Sequence, residues 1–221
     1  SETSQILNLF SRNHGRVDVI AKGAKRPKSK FRSFMQPFMP LNASWSGRSQ
    51  LKTLRNIEAT QQHKSLIQPN DFLFALYMNE LILHFLSNAD PYPDLFEIYY
   101  EVLRQLSSSS EHEPLLRMFE IKMLEEIGYA INFETEALSS KSIDNNQYYR
   151  YEPEQGFHLL PKDSQMKKYS GVQIKSIKEM DFSEYDTLIA AKKLTRQTIH
   201  FHLDGKELMT KKMYKSIKRD K

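Results

Sequence analysis

Six cations fall within the eleven residues Lys22-Gly23-Ala24-Lys25-Arg26-Pro27-Lys28-Ser29-Lys30-Phe31-Arg32. Glycine, proline and serine keep such a stretch in a loop. A loop of this kind attracts a phosphate backbone, because each neutralised phosphate releases condensed counterions. Phe31, inside the run, is a candidate for stacking on a base. Phe34 and Trp45 are further aromatic candidates, for which ordinary core packing is the preferred reading. The plain alternative for the run itself is a solvated loop or a localisation-type basic patch.

Bond-making chemistry finds little support. There is no cysteine among the 221 residues, which excludes a disulfide framework, a thiolate nucleophile and a Cys-based zinc site. His200 and His202 stand two apart, which is no helical metal-pair spacing. No phosphate loop of the GxxxxGK[ST] type occurs, and no GxSxG elbow or HExxH. Neither a catalytic residue, a metal nor a cofactor is expected, and the chain reads as a non-enzyme. A metal-dependent nuclease is the rival, but residues 1–60 hold only Glu2, Asp18 and Glu58 as carboxylates.

The charge is segregated. The formal net charge is +5 and the pI near 9.2. Residues 1–60 carry +8, residues 61–190 carry −10 and residues 191–221 carry +7. A basic head and a basic tail therefore flank an acidic middle. No apolar run is long enough for a membrane span, no leader pattern opens the chain, and no membrane partner is expected. A first residue that is Ser rather than Met reads as a processed chain or a fragment.

The elements that must position these residues differ along the chain. Short apolar runs at Ile6–Phe10, Val17–Ile20 and Phe34–Leu41 read as strands, the first two around the turn Asn13-His14-Gly15. Pro37 and Pro40 make the third an edge or bent strand. Leu41, Ala43 and Trp45 alternate up to Gly47, and Leu51, Thr53, Arg55 and Ile57 alternate beyond it, a hairpin. Such strands suit a small sandwich or barrel, of which the oligonucleotide-binding (OB) barrel is one. From Asn70, a candidate cap, the period becomes helical through Phe72, Leu73, Leu76, Tyr77, Leu81 and Leu83. A second helix spans about Pro93 to Leu106. A third begins at Pro114 and stops at Gly128. These three predict an antiparallel bundle. Tyr148 to Leu159 reads as a small hairpin. Ser183 and Asp186 resemble a capping box for a helix whose inward face is Leu188, Ala191, Leu194, Thr198 and Phe201. Its other face, with Lys192, Lys193 and Arg196, either extends the cationic surface or neutralises the acidic middle. Residues 206–221 form a basic, fraying tail.

Several segments carry a resemblance: Ser1-Glu2-Thr3-Ser4, His14-Gly15-Arg16-Val17, Ala21 to Arg26, Gln36-Pro37-Phe38, Pro40-Leu41, Gly47-Arg48 and Leu51-Lys52-Thr53-Leu54. Leu76 to Leu81, Arg117-Met118-Phe119-Glu120, Gly128-Tyr129, Ala191-Lys192-Lys193 and Gly205 to Leu208 continue it. In this order they resemble the RecO family of bacterial recombination-mediator proteins, in its cysteine-free proteobacterial branch. The resemblance implies an α+β chain with an OB-fold barrel at residues 1–62 and a helical domain at 63–221. It places a zinc-free hairpin region at about 137–165, where other branches carry a four-Cys zinc site. It also implies about a dozen further N-terminal residues that supply the first barrel strand, so the barrel is expected to be incomplete.

The implied partners are single- and double-stranded DNA, the C-terminal tail of single-stranded-DNA-binding protein (SSB), RecR and, indirectly, RecA. The implied setting is DNA repair by the RecF pathway and the SOS response, in the bacterial cytoplasm at the nucleoid. Arg16, Arg48 and Lys52, which stand in the resembling motifs, join Lys22, Lys25, Arg26, Lys28, Lys30, Phe31, Arg32, Lys192, Lys193 and Arg196 as expected DNA contacts. Arg117 matches the family's tail-contacting arginine and is the expected rim cation of an apolar hole with Leu116 and Phe119. The plain alternative for Arg117 is an intrahelical pair with Glu113 or Glu120. The alternative function is a nucleic-acid-binding adaptor with no annealing activity.

Overall fold

A computed structural model describes residues 2–60, 67–68, 71–161, 164 and 169–219. The chain is mixed α+β and divides into two compact units, Ser1–Ser110 and Glu111–Lys221. Each is treated by itself.

The first unit is built on a four-stranded sheet. Strand β1 (Gln5–Ser11) pairs antiparallel with β2 (Gly15–Ala21), from Gln5 opposite Ala21 to Ser11 opposite Gly15. Burial in β2 alternates residue by residue, as the pleat requires, and puts Val17, Val19 and Ala21 inside. Strand β3 (Leu41–Ser46) pairs antiparallel with β4 (Lys52–Ala59), and β4 joins β2 in parallel, Val19 opposite Lys52. The order is β1-β2-β4-β3. Among the described residues β1 and β3 remain the two edges, so the sheet is open; the OB-type barrel, expected to be incomplete, is not seen as a closed one. The expected strand at Phe34–Leu41 is absent too. Arg32–Phe34 is a short 3-10 turn and an irregular segment follows it, in keeping with two prolines that have no N–H to give a ladder.

The hairpin β3–β4 carries an irregularity. Ser44 lies opposite Asn56 but Trp45 opposite Leu54, so Arg55 is an extra residue on β4. A bulge shifts the side-chain period by one. The buried residues of β4 are therefore Leu54 and Ile57, not the uninterrupted set Leu51, Thr53, Arg55 and Ile57.

Helices α1 (Phe72–Phe85) and α2 (Pro93–Leu106) belong to this unit. Phe10 of β1 packs its ring 5.5 Å from both Phe96 and Tyr99 of α2, and the Tyr99 hydroxyl donates to Asn79 of α1 at 2.6 Å. The buried face of α1 is Ala75, Met78, Leu81 and Ile82, rotated from the expected one. Phe72 and Leu83 are exposed, and the expected cap Asn70 lies outside the described residues. Gly15, at φ 62°, is obligatory in this unit. A Cβ there would run into the Asp90 carbonyl.

The second unit joins α3 (His112–Glu126) to α5 (Tyr185–His202) across a small sheet and the short helix α4 (Gly171–Lys178). Of the three helices expected to form a bundle, α3 lies in this unit and α1 and α2 in the other. The sheet is the expected hairpin, β5 (Tyr148–Glu152) with β6 (Gly156–Leu159), plus β7 (Tyr169–Ser170) on the other side of β5. Tyr151 lies opposite Phe157 with ring centroids 5.0 Å apart, and Tyr169 and Phe133 also pack on Phe157. The capping box sits at Ser170 and Gln173, ahead of α4. At α5 the flanking residue is Glu184, with no side-chain cap, so the Ser183–Asp186 box is not formed. A last helix, α6 (Met209–Arg219), follows.

The loop before β5 is tied to this hairpin by one buried carboxylate. Glu136 accepts from the Ser139 amide at 2.6 Å and the Leu159 amide at 3.4 Å. The Ser139 hydroxyl and amide, aided by the Leu138 and Leu159 amides, hold its pKa down to about 2 against the opposing effect of burial. A folded pKa below the unfolded value means that the unfolded chain binds the proton first as pH falls. The contribution is thus complete above about pH 4.5 and lost as pH falls towards 2. Urea unfolding at stepped pH is expected to show stability dropping over that window. Glu136→Gln should flatten the drop; an unchanged pH slope in that variant would refute the assignment.

Candidate nucleic-acid interface

The cationic loop is an ordered device. The amides of Ala24, Arg26, Ser29 and Arg32 each donate to the carbonyl three residues earlier, at 3.0–3.4 Å, so the segment is a chain of tight turns. Ala24 and Phe31 are buried in the sheet's core with Val17, Val19, Ala21, Leu54 and Ile57. Lys22, Lys25, Arg26, Lys28, Lys30 and Arg32 are all exposed. Two apolar anchors thus pin a loop whose charges point outward. Among the described residues none of the six meets a carboxylate.

Phe31 requires a correction. It is only 7% exposed, and its ring is an anchor of the loop rather than a platform for a base. Phe34 and Trp45 pack partly buried against the same core. Lys30 lies over the Phe31 ring at 5.1 Å and reaches the Arg55 carbonyl at 3.4 Å. The loop is thereby clipped to the bulge on β4. Arg55 is exposed there, its Nε donating to the Ser46 hydroxyl at 2.6 Å. Sequence periodicity put Arg55 in the alternating set of β4, and only the bulge sets it beside the loop.

The remaining expected contacts separate. Arg48 is exposed in the β3–β4 loop and Lys52 half-buried at the start of β4. Arg16 is a strut: its guanidinium donates to the Leu83 and Leu86 carbonyls at 3.0 and 2.6 Å, closing the C-terminal end of α1. On α5, Lys192 is paired with Glu113 and Lys193 lies over the Tyr169 ring at 4.6 Å, while Arg196 is exposed. Lys192 thus neutralises an acidic neighbour, one of its two expected roles. Phe201, expected inward, is exposed.

Arg117 is 2% exposed. It donates to Glu120 at 2.6 Å and to Glu113 at 3.3 Å, both turns of its own helix. Leu116 and Phe119 are buried core residues. Glu113 receives Lys192 as well as Arg117. Burial raises its pKa, but the Lys192 hydrogen bond and the charges of Arg117, Lys192 and Arg196 outweigh this and lower it.

Fold and surface define a class: a mixed α+β protein in two units, whose first unit displays a concentrated cationic loop on an open sheet. Among the described residues no three His, Asp or Glu side chains gather to hold a metal ion, and no helix is long and apolar enough to cross a membrane. The family models described as recombination protein O N terminal and C terminal match residues 1–63 and 68–212. The DNA repair protein RecO of Idiomarina loihiensis is 36% identical over 99% of this chain and 94% of its own length. That of Tolumonas auensis is 38% identical over 98% and 90%, and that of Methylococcus capsulatus 36% over 97% and 88%. The chain belongs to the RecO family of DNA repair proteins.

The family models part at residues 63–68, whereas the compact units part at 110. Helices α1 and α2 account for the difference, since they pack with the sheet.

The Arg117–Glu120 pair is the energetic risk of the second unit. Removing one member of a buried pair strands the other charge. Glu120→Ala is expected to cost about 3–5 kcal/mol in urea unfolding, and the double change Arg117→Met, Glu120→Leu to recover most of it. A single variant within 1 kcal/mol of the parent would show that the pair is not desolvated.

Proposed function

We propose that the chain is a recombination mediator. It binds single- and double-stranded DNA, anneals complementary strands and, with RecR, helps load RecA on SSB-coated DNA. It works as a binding protein, without bond chemistry, in the bacterial cytoplasm at the nucleoid. The observation that carries this reading is the loop 22–32, with six exposed cations clipped to the sheet by Ala24, Phe31 and the Lys30–Arg55 contact. The open sheet serves as the oligonucleotide-binding fold, and Arg48, Lys52 and Arg55 extend its charged surface.

Annealing then follows from charge. Two strands repel through their phosphates, and the six cations screen that repulsion while holding both strands. Base pairing supplies roughly 1.4 kcal/mol per stacked step once the strands meet. For about five neutralised phosphates on a single strand, log K is expected to fall with log salt at a slope near −3.5. Replacing Lys22, Lys25, Arg26, Lys28, Lys30 and Arg32 by Ala should remove most of that slope and slow annealing of complementary strands. A parent slope near zero, or an unchanged slope in the variant, overturns the assignment.

The SSB tail belongs to the second unit on this reading. It is acidic and ends in a free carboxylate. Glu113, 38% exposed, already sits where Arg117, Lys192 and Arg196 converge. The tail carboxylate competes with Glu113 for Lys192 and Arg196, with Arg117 behind them. Glu113→Gln is expected to raise tail-peptide affinity severalfold and Arg196→Ala to lower it, both read by fluorescence anisotropy. Equal loss of naked-DNA binding in Arg196→Ala would count against a separate tail site.

A further inference from the structure

The stop that ends α3 presents an aromatic ring where such stops ordinarily bury one. The Tyr129 amide donates to the Leu124 carbonyl at 2.7 Å and the Gly128 amide to Glu125 at 3.2 Å, with Gly128 at φ 84°. This is the paired-bond C-terminal cap in which the residue after the glycine usually packs back on the last turn. Tyr129 lies instead on the imidazole of His202, with ring centroids 3.8 Å apart and planes 14° from parallel. It keeps 42% of its surface exposed. Phe201, 50% exposed, sets itself at 90° against the same imidazole at 5.2 Å. Burial lowers the His202 pKa, with the Glu154 charge opposing.

The charge around these rings favours an anionic strand. Arg196 and His200, one turn apart on α5, are both exposed. The last 31 residues, from Ala191 on, hold ten cations against three carboxylates. Of the nearby acids, Glu125 is held by Lys122 at 2.8 Å and Glu207 by Lys212 at 3.5 Å. Asp204 and Glu154 are exposed, and Glu154 lies close enough to oppose the lowering of the His202 pKa, which limits the field. Parallel aromatic faces beside cations are what a single strand uses: bases stack and phosphates pair.

We propose that Tyr129, backed by His202 and flanked by Phe201, is a base-stacking platform for single-stranded DNA on the second unit, separate from the cationic loop of the first. It rests on the annealing reading and deepens it, because annealing two strands is served by two binding surfaces of different character. The loop holds backbone through charge, and the platform holds bases through π-faces.

The test uses the full chain and two fluorescent strands of equal length, one carrying bases and one abasic throughout. The parent is expected to bind the base-bearing strand roughly 5- to 100-fold more tightly. Tyr129→Ala with Phe201→Ala should bring that ratio close to one and leave the salt slope in place, while Tyr129→Phe keeps the ratio and controls for folding. The six-cation variant should lose the slope and keep the ratio. A parent ratio of one, or a ratio unchanged in the double variant, overturns the platform alone. So does a double variant that loses SSB-tail peptide and keeps DNA, since the rings would then be a protein-docking surface. Absence of DNA binding by the parent overturns the platform and the annealing reading together.

Discussion

Six like charges within eleven residues repel one another, and the first unit is organised around keeping them together. The loop has no carboxylate of its own to offset them. What holds it is apolar: Ala24 and Phe31 are buried under it, and successive turns satisfy its amides. Burying a phenylalanine side chain contributes on the order of 1.5–3 kcal/mol, which exceeds what exposed cations cost one another at physiological salt. The anchor therefore wins, and the charge density survives on the surface. The sheet must accept that anchor, which accounts for the small Ala21 and Ala24 beside Val17, Val19 and Leu54. The bulge at Arg55 then brings a further backbone carbonyl within reach of Lys30.

The second unit carries nearly balanced charge, 19 Lys+Arg against 18 Asp+Glu, and several of its carboxylates are matched individually. Glu120 takes Arg117, Glu113 takes Arg117 and Lys192, Glu134 takes Lys178 at 2.6 Å, and Glu136 takes backbone amides. The buried pair is not there because it stabilises more than an apolar pair would. It orients α3 against α5, since Lys192 on α5 and Arg117 on α3 meet on one carboxylate. That carboxylate, Glu113, is 38% exposed, and an outside acid can compete there.

Much of this was legible in the sequence, and the failures have physical causes. The β1–β2 turn, the β3–β4 hairpin, α2, the stop at Gly128 and the hairpin at Tyr148–Leu159 follow from period and turn residues. In the sequence Pro37 and Pro40 read as bending the Phe34–Leu41 strand or setting it at an edge, whereas the segment leaves the ladder altogether until Leu41. The face of β4 failed because a bulge has no signature in residue type. Phe31 reads as a stacking candidate from its residue type, and its burial makes it an anchor; for Arg117 the structure shows the intrahelical pair that stood as the alternative. Arg16 was legible as a cation but not as the group that closes α1, because its partners lie 67 and 70 residues away. Only the cap at Ser170 was missed while in plain view, as the spacing Ser170 to Gln173 is itself the signal.

The small sheet of the second unit has strands of five, four and two residues. Isolated hairpins of that size are marginal in water, and the chain has no cysteine with which to hold a metal there. Aromatic packing takes that place. Phe157, fully buried, touches Tyr151, Tyr169 and Phe133, and the Tyr151 hydroxyl lies 3.2 Å from Thr198 of α5. Such ring pairs add about 0.5–1.5 kcal/mol each beyond the area they bury. A metal fixes a hairpin through ligand geometry whatever lies behind it; a ring cluster fixes it only against a partner surface. The hairpin of this chain is therefore bound to α5, and what α5 carries on its outer face is held in register with it.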